Sequence, residues 1–353
     1  MPTAPLPNLD YLVARLHGRR GQFAETDKLD ALCRLRSMTD LVRAVSPRTR
    51  FTTVIDFQHG LINEMVQELG GFAAQLTGAG AALITWMRVR CQLENLKVMA
   101  RAFTTGKSLE VARRYLVPLP DDLSLDVEAL SAADDAESFA MAAPVGLLRD
   151  GLAYFAPAYD ETPSPVVLEA ALDHTYFHEL LKRSRAMPGT ARNDSLIIAK
   201  QEVDTFHLML AARGCFHYGL RSDNLEMFHV SGGGISLDRF RQMLDADTLS
   251  DAVGLVSSLM LDTWPCAEGR YASGTADCNA AMLESLAWNR YHRLARRAFR
   301  RNHMGLGAVV AFAAIRRIEV ANLITLSEGI RTHMPSDAIR RRLIPRNTEA
   351  IHV

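Results

Sequence analysis

The sequence lacks an excess of either charge: 40 Lys and Arg residues match 40 Asp and Glu residues, so the formal net charge is zero. General binding to nucleic acid or to an anionic membrane surface depends on accumulated positive charge. A chain that is neutral overall is a poor candidate for either class, and we expect no nucleic-acid partner.

Cysteines are few and scattered. Cys33, Cys91, Cys215, Cys266 and Cys278 form no CxxC pair, and this odd set predicts reduced cytosolic thiols rather than a disulfide framework. The N-terminal residues also lack the basic start and apolar core of a signal peptide.

Long apolar runs are missing as well. A membrane-spanning helix needs about 18 or more consecutive apolar residues, whereas the best run, residues 305–315, stops at Arg316 and Arg317. We therefore expect a protein that is cytosolic or sits on a membrane protein, without crossing the bilayer itself.

Strand signals are scarce, and helical periodicity dominates. Residues 50–55 form the only β-branched run and have no evident partner. In contrast, apolar residues at alternating steps of four and three predict one long helix; they are Ala82, Trp86, Val89, Leu93, Leu96, Ala100 and Phe103. The predicted class is all-α, with further helices at 9–17, 27–44, 60–76, 167–186, 196–213, 236–244, 248–261, 280–302, 306–332 and 336–343.

A seven-residue polar motif occurs three times. Residues 90–96, 200–206 and 317–323 each contain a base, then Gln or Glu two positions later, and Asn or Thr at the sixth position. The first and third copies are offset by 227 residues, and the same offset relates residues 113–118 to 340–345. Such spacing indicates internal repeats. We divide the chain into three related helical repeats, 1–118 (with the N-terminal helices), 119–232 and 233–353.

The motif has two possible uses. Residues three apart on a helix share a face, and an Asn inside a helix tends to bond a neighbouring backbone. One interpretation is a polar clasp between helices of one bundle, and the other is contact with a partner on an inner surface. The candidate structural or partner-contact residues are Arg90, Gln92, Asn95, Glu202, Arg317, Glu319 and Asn322.

Charge is unevenly distributed along the chain. Residues 119–173 hold twelve acids and one base, Arg149, whereas residues 281–353 hold thirteen Arg against five acids. The separation favours polar docking faces on a protein with several partners, although solvated helix faces would give the same pattern.

One basic flank stands out within the second stretch. Its arginines recur every three to four residues and so share one side of a helix. Pairing with acidic helices of a protein partner is the preferred use; a solvated face and binding of RNA or anionic lipid are the alternatives. The flank comprises Arg290, Arg293, Arg296, Arg297, Arg300 and Arg301.

Two motifs suggest chemistry but are incomplete. Residues 105–108 (TGKS) resemble a phosphate-binding loop, but position 101 is Arg101 instead of Gly, and a helix precedes the motif where a strand is needed. Gly106 is better explained as the end of that helix. His174 and His178 are four apart, as in zinc proteases, but Thr175 stands where the catalytic Glu belongs and no third ligand is evident.

At these residues the chain resembles a known family, the C subunits of bacterial and archaeal V/A-type ATPases (ATP synthases), which correspond to the d subunit of eukaryotic V-ATPases. The order, spacing and threefold recurrence of the matching segments carry the resemblance over nearly the whole chain. Thr205 and Gln92 depart from the pattern. The matching segments are residues 11–16, 94–96, 176–181, 202–204, 284–291, 316–323, 328–331 and 339–345.

The resemblance implies a funnel of three similar helical bundles with pseudo-threefold symmetry. Proteins of this family have no active site, metal or cofactor of their own. They sit peripherally on the cytoplasmic face of the membrane complex and couple the rotor shaft of the ATP-hydrolysing head to the proteolipid ring that moves protons or sodium ions. The alternatives are a metal-dependent helical hydrolase using His174 and His178, and a helical RNA-binding or scaffold protein.

Overall fold

A computed structural model of the chain describes residues 9–47, 51–261 and 280–345. All regular secondary structure within these ranges is helical, so the predicted all-α class is confirmed. The first nine helices are α1 Leu9–Arg20, α2 Thr26–Cys33, α3 Met38–Val45, α4 Val54–Ala73, α5 Gly78–Thr105, α6 Leu109–Arg113, α7 Val127–Ser131, α8 Ala136–Ala142 and α9 Leu147–Glu161. The others are α10 Pro165–Arg185, α11 Gly189–Leu210, α12 Ser222–Glu226, α13 Leu237–Leu244, α14 Leu249–Gly254, α15 Ser257–Met260, α16 Ala280–Arg301, α17 Leu306–Arg331 and α18 Ser336–Arg340.

The chain divides into two compact units. The first consists of Met1–Thr85, Pro188–Asp194 and His292–Val353, and the second of Trp86–Met187 and Ser195–Tyr291. Three of the four boundaries fall inside α5, α11 and α16, and the fourth lies between α10 and α11. The division into three repeats stays a prediction.

Helix α17 forms the centre of the first unit and packs against α1, α3, α4 and α18. It is apolar on nearly all sides, as expected of a helix surrounded by others. Phe312 of α17 is fully buried, and its ring lies 5.0 Å from that of Phe23 and 5.3 Å from that of Phe72. Truncation of such a side chain typically costs about 3–5 kcal/mol.

The second unit contains the C-terminal part of α5, α6 to α10, most of α11, α12 to α15 and the N-terminal part of α16. Helix α9 packs between α8 and α10. The predicted apolar stripe of α5 is anchored at Trp86, whose ring stacks on Tyr176 of α10 at 5.6 Å. The Trp86 indole N–H also donates to the Tyr176 carbonyl at 3.0 Å, so the buried ring has its polar atom satisfied.

Local sequence signals explain where several helices begin and end. Thr53 caps α4 in a reciprocal capping box with Asp56, so Val54 and Ile55 of the β-branched run start a helix. Gly106 ends α5 with a φ of +63°, and its neighbour Lys107 donates to the Ala102 carbonyl at 3.0 Å. This is the Schellman arrangement that a C-terminal glycine permits, and the predicted helix end at Gly106 is confirmed.

Some predicted helix bounds were wrong. The predicted helix 27–44 is two helices, because Ser37 caps a new one by accepting the backbone N–H of Asp40 at 3.1 Å. The predicted helix 248–261 is likewise split into α14 and α15. The prediction also omitted α8 and α9, and α9 contains Pro157 in its interior, which ordinarily argues against a helix.

No helix in the described ranges is long and apolar enough to cross a membrane. Some of the sequence features lie outside those ranges, namely Arg50 of the β-branched run, Cys266 and Cys278.

Candidate functional site: the repeated motif and the charged surfaces

The Asn of the motif holds the backbone of a second segment in both the first and the third copy. The Asn95 side-chain amide donates to the Val117 carbonyl at 2.8 Å and accepts the Val117 N–H at 2.9 Å. Asn322 does the same with Ile344, at 2.6 and 2.8 Å. Both Asn side chains are buried, and each satisfies a backbone donor and acceptor that have no helical partner.

The middle copy performs this task with a different residue. Thr205, at the Asn position, donates its hydroxyl to the Gln201 carbonyl of its own helix at 2.7 Å. The preceding residue, Asp204, accepts the backbone N–H of Gly234 at 2.8 Å and that of Ile235 at 3.0 Å. A carboxylate only accepts hydrogen bonds, so this clasp binds two N–H groups and no carbonyl.

The acidic or amide position of the motif is buried in all three copies. Glu202 accepts the phenol O–H of Tyr291 at 2.9 Å, and Glu319 accepts the backbone N–H of Ala24 at 2.6 Å. Gln92 is buried as well. Glu202 and Glu319 therefore contribute to packing inside the chain.

The basic position differs from copy to copy. Arg90 donates to Asp173 at 3.0 Å and pairs with Glu94 at 2.7 Å, so it joins α5 to α10. Lys200 is exposed, and Arg317 is half-buried. Of the three bases, Arg90 has the clearest structural role.

Sequence reasoning missed a buried ionic cluster next to the third motif. Arg316, 2% exposed, donates to Glu319 at 2.6 Å and to Glu68 at 3.1 Å. Arg19 donates to the second oxygen of Glu68 at 2.8 Å. Arg316 looked like the end of an apolar run, and no spacing rule links it to α1 or α4; only the tertiary fold brings these groups together.

The arginines at the two ends of the basic flank are engaged internally. Arg290 donates to the Gln201 side chain at 3.0 Å within the second unit. Arg301 donates through Nε to Asp194 at 3.0 Å within the first unit. Asp194 is fully buried and also accepts the Asn302 amide at 3.2 Å, so this pair is part of the packing.

The middle of the flank faces solvent. Arg293, Arg297 and Arg300 are exposed, and Arg296 is half-buried. Within the described ranges, no ion pair involves Arg297 or Arg300. These two residues present positive charge that the described part of the chain does not neutralise.

The acidic stretch separates into three groups. Four acids pair with bases that lie outside the stretch, and Asp126 and Asp135 cap helices α7 and α8. Six exposed carboxylates make no ion pair within the described residues: Asp121, Asp134, Glu137, Asp150, Asp160 and Glu161. The negative charge that remains for docking a partner is therefore smaller than the count of acids in the sequence suggests. The paired acids are Asp122 with Arg88, Glu128 with Arg113, Glu169 with Arg101, and Asp173 with Arg90 and Lys97.

His174 and His178 stack on each other with ring centroids 6.3 Å apart. Burial, followed by the charges of His178 and His229, lowers the pKa of His174 to about 4. Among the residues that the structure describes, no three His, Cys, Asp or Glu side chains are grouped as metal ligands would be. The hydrolase alternative therefore has no ligand set in this part of the chain.

A second histidine pair lies near the middle clasp, with His207 buried and His229 half-buried. His207 accepts the Val230 N–H at Nε2, 2.9 Å away, and stacks on His229 with centroids 4.6 Å apart. Its Nδ1 has no hydrogen-bond partner among the described residues. Burial, then the neighbouring charges of His229 and His174, lower the pKa of His207 well below its usual value.

Burial also acts on Asp204. It raises the pKa of the carboxyl to about 6, against the backbone N–H groups of Ile235 and Gly234, which favour the ionised form. The desolvation cost is the larger of the two effects.

Comparison with known proteins gives the same family over nearly the whole chain. The profile of the ATP synthase (C/AC39) subunit family matches residues 12–342. The chain is 23% identical to the A-type ATP synthase C subunit of Methanosphaera stadtmanae, over 95% of this chain and 87% of that protein. It is 25% identical to the V-type ATP synthase C subunit of Deinococcus radiodurans, over 94% of this chain and 90% of that protein.

Proposed function

The chain belongs to the ATP synthase (C/AC39) subunit family, and from this premise we propose that it is the non-catalytic central-stalk subunit of a V/A-type rotary ATPase. In this role it couples the rotor shaft of the ATP-hydrolysing head to the proteolipid ring, which carries protons or sodium ions. The proposal includes a peripheral position on the cytoplasmic face of the membrane. The observation that carries it is the family match over residues 12–342.

The repeated clasps support a mechanical role. A protein that transmits torque must resist sliding between its helices, and densely packed interiors transmit strain. In each Asn clasp, one side chain of a helix holds a second segment directly, through two hydrogen bonds to its backbone. We therefore assign Asn95 and Asn322 to stiffness rather than to contact with a partner.

The clasps also support the three-repeat organisation, which remains part of the proposal. Asn95 with Val117 and Asn322 with Ile344 are related by the same 227-residue offset that the sequence repeat predicts. Asp204 supplies the corresponding contact in the middle copy. Three related bundles around a pseudo-threefold axis would offer similar surfaces in three directions.

Affinity purification of the tagged full chain from detergent-solubilised membranes tests the function. We expect the proteolipid and the shaft and head subunits of a rotary ATPase to accompany it in fixed ratios. Membranes that lack the chain should show ATP hydrolysis without ion pumping, and adding the purified chain back should restore coupling. Recovery of the chain with no rotary ATPase subunit would contradict the proposal.

A further inference from the structure

Four large apolar side chains are exposed close together at the junction of α8 and α9. Met141, Val145, Leu147 and Tyr154 are 58%, 86%, 39% and 78% exposed. We call these four residues the apolar patch. Single exposed apolar residues are ordinary, but a group of them usually marks an interaction surface.

Two of the patch residues share a face of α9, and the other two lie at the end of α8 and in the connection that follows it. Leu147 and Tyr154 are seven residues apart, which is two turns, so they lie on the same face of α9. Met141 is in the last turn of α8, and Val145 lies in the short connection between the two helices. Helices α8 and α9 pack against each other.

The two helices that carry the patch are anchored by buried side chains. These are Phe139 of α8 and Leu148, Leu152 and Phe155 of α9. The Arg149 guanidinium donates to the Ala143 carbonyl at 2.6 Å, which ties the connection to α9. A preformed surface loses little entropy when it binds a partner.

Carboxylates border the patch. Glu137 lies four residues before Met141, and Asp150 lies three residues after Leu147 and four before Tyr154, so each shares a helix face with a patch residue. Both are exposed and have no ion-pair partner in the described ranges. The single base of the region, Arg149, donates to the Ala143 carbonyl and forms no ion pair with either carboxylate within the described residues.

Charge complementarity selects the occupant. An anionic lipid surface or a nucleic acid would be repelled by the bordering carboxylates. A protein helix with apolar side chains between Lys and Arg residues matches both the apolar centre and the acidic border. We propose that the apolar patch docks such a basic amphipathic helix from another subunit of the rotary ATPase; this rests on the proposed function.

A photo-crosslinking experiment on the assembled complex tests this. Val145, the most exposed residue of the patch, is replaced by p-benzoylphenylalanine in the full chain, and the complex is purified from membranes and irradiated. We expect an adduct with one other subunit, mapping to a helix that contains Lys or Arg. The same photoreactive group at Tyr218, an exposed position elsewhere in the second unit, controls for random labelling and should not give this adduct.

Charge variants then separate docking from helix stability. Glu137 and Asp150 both lie in the first turn of their helices, where a carboxylate also favours the helix. We expect Glu137→Lys with Asp150→Lys to lower the adduct yield about tenfold, and Glu137→Gln with Asp150→Asn to lower it less. Equal yields in both pairs, with unchanged helical circular dichroism, would overturn the role of charge.

Three other outcomes of the crosslinking experiment would contradict the docking proposal. An adduct with a second copy of the chain, an adduct with lipid, or no adduct in a fully assembled complex would each overturn the docking proposal and leave the proposed function intact.

If the chain assembles with no rotary ATPase subunit, the proposed function fails, and the patch is tested on the isolated chain with a Leu/Lys amphipathic peptide as the probe. The patch then predicts binding at least about tenfold tighter than that of the matching Leu/Glu peptide, measured by fluorescence anisotropy; equal binding would overturn it.

Discussion

The side-chain amide of Asn322 bonds both the N–H and the carbonyl of Ile344, at 2.8 and 2.6 Å. The two residues are 22 positions apart, so one buried side chain fixes the returning segment in position and direction. Asn95 and Val117 repeat the relationship in the second unit. The amide works here because it offers a donor and an acceptor on one planar group.

Replacement of Asn322 by Leu should therefore destabilise the protein by about 2–4 kcal/mol, because two partly buried backbone groups of Ile344 lose their partners. Asn322→Asp keeps the acceptor for the Ile344 N–H but loses the donor, and we expect a similar loss. Urea unfolding followed by circular dichroism measures both.

The matched control for this prediction is Thr205→Ala. Thr205 occupies the same motif position but bonds only its own helix, so its loss should change stability by less than about 0.5 kcal/mol. If the Thr205 and Asn322 variants lose equal stability, the clasp is not the source of the effect.

Sequence patterns predicted the class of the fold and most long helices because α5, α10 and α17 carry strong local signals. The prediction missed α9, where Pro157 interrupts the pattern. Pro157 lies on an exposed part of α9. Because proline has no N–H, one helix carbonyl lacks its hydrogen bond, and at an exposed position that carbonyl can bond to water instead. It also missed the break before Ser37, although Ser37 and Asp40 show the spacing of an N-terminal cap.

The candidate site was predicted less completely. The 227-residue offset relates Asn95 to Asn322, which make equivalent hydrogen bonds, but the alignment placed Thr205 at the corresponding position of the middle copy. The clasp there comes from Asp204, one residue earlier, and only the fold shows that Gly234 and Ile235 reach it. Similarly, the regular spacing of the basic flank could not reveal that Arg290 and Arg301 have internal partners.

Glycine is required beside Asp204 for steric reasons. A Cβ at Gly234 would lie 2.7 Å from Asp204 Oδ2, so Gly234→Ala should cost about 1–3 kcal/mol through displacement of the carboxylate. In an Asp204→Ala background the same substitution should cost less, which a double-mutant cycle measures. Gly254→Ala, with no atom within 4 Å of the added Cβ, is the control and should be neutral or stabilising. Strict additivity of the two changes would contradict the steric account.

Acid should destabilise the second unit through its buried histidines. The folded-state pKa values of His174 and His207 are below 6.5, so the folded protein binds fewer protons than the unfolded chain, and stability present above pH 6.5 is lost as the pH falls below it. For His174, with a pKa of about 4, the loss between pH 6.5 and 4 amounts to roughly 2–3 kcal/mol.

Comparison with a non-titrating variant measures this effect. His174→Gln with His207→Gln should flatten the decline in the free energy of unfolding between pH 6.5 and 4. Asp204, whose pKa is raised to about 6, acts in the opposite direction, but both proteins retain it. Parallel pH profiles for the two proteins would exclude the histidines as the cause.

Arg316 should be among the most sensitive charged residues of the first unit. Arg316→Met leaves Glu319 buried without its cation and should cost about 3–5 kcal/mol in unfolding free energy. Adding Glu319→Gln removes the uncompensated charge yet keeps an acceptor for the Ala24 N–H, and should recover part of the loss. Arg297→Met, at an exposed position of the same unit, is the control and should have little effect. A double variant as unstable as the sum of the single ones would show that the ion pair is not the dominant contact.

The exposed part of the basic flank allows docking to be tested without damage to the fold. Arg297→Glu with Arg300→Glu reverses two charges that have no ion-pair partner in the described ranges, so the melting temperature should change little. If the flank docks on an acidic partner helix, the double variant should weaken assembly about tenfold at low salt and less at high salt, because exposed charges are screened.

The control is Arg301→Glu. It should instead lower the melting temperature, because it places a second carboxylate against buried Asp194. The measurements are thermal unfolding of the isolated chain, and the ratio of ion pumping to ATP hydrolysis in reconstituted vesicles. Unchanged coupling and unchanged affinity in the Arg297/Arg300 variant would mean that this flank is only a solvated surface.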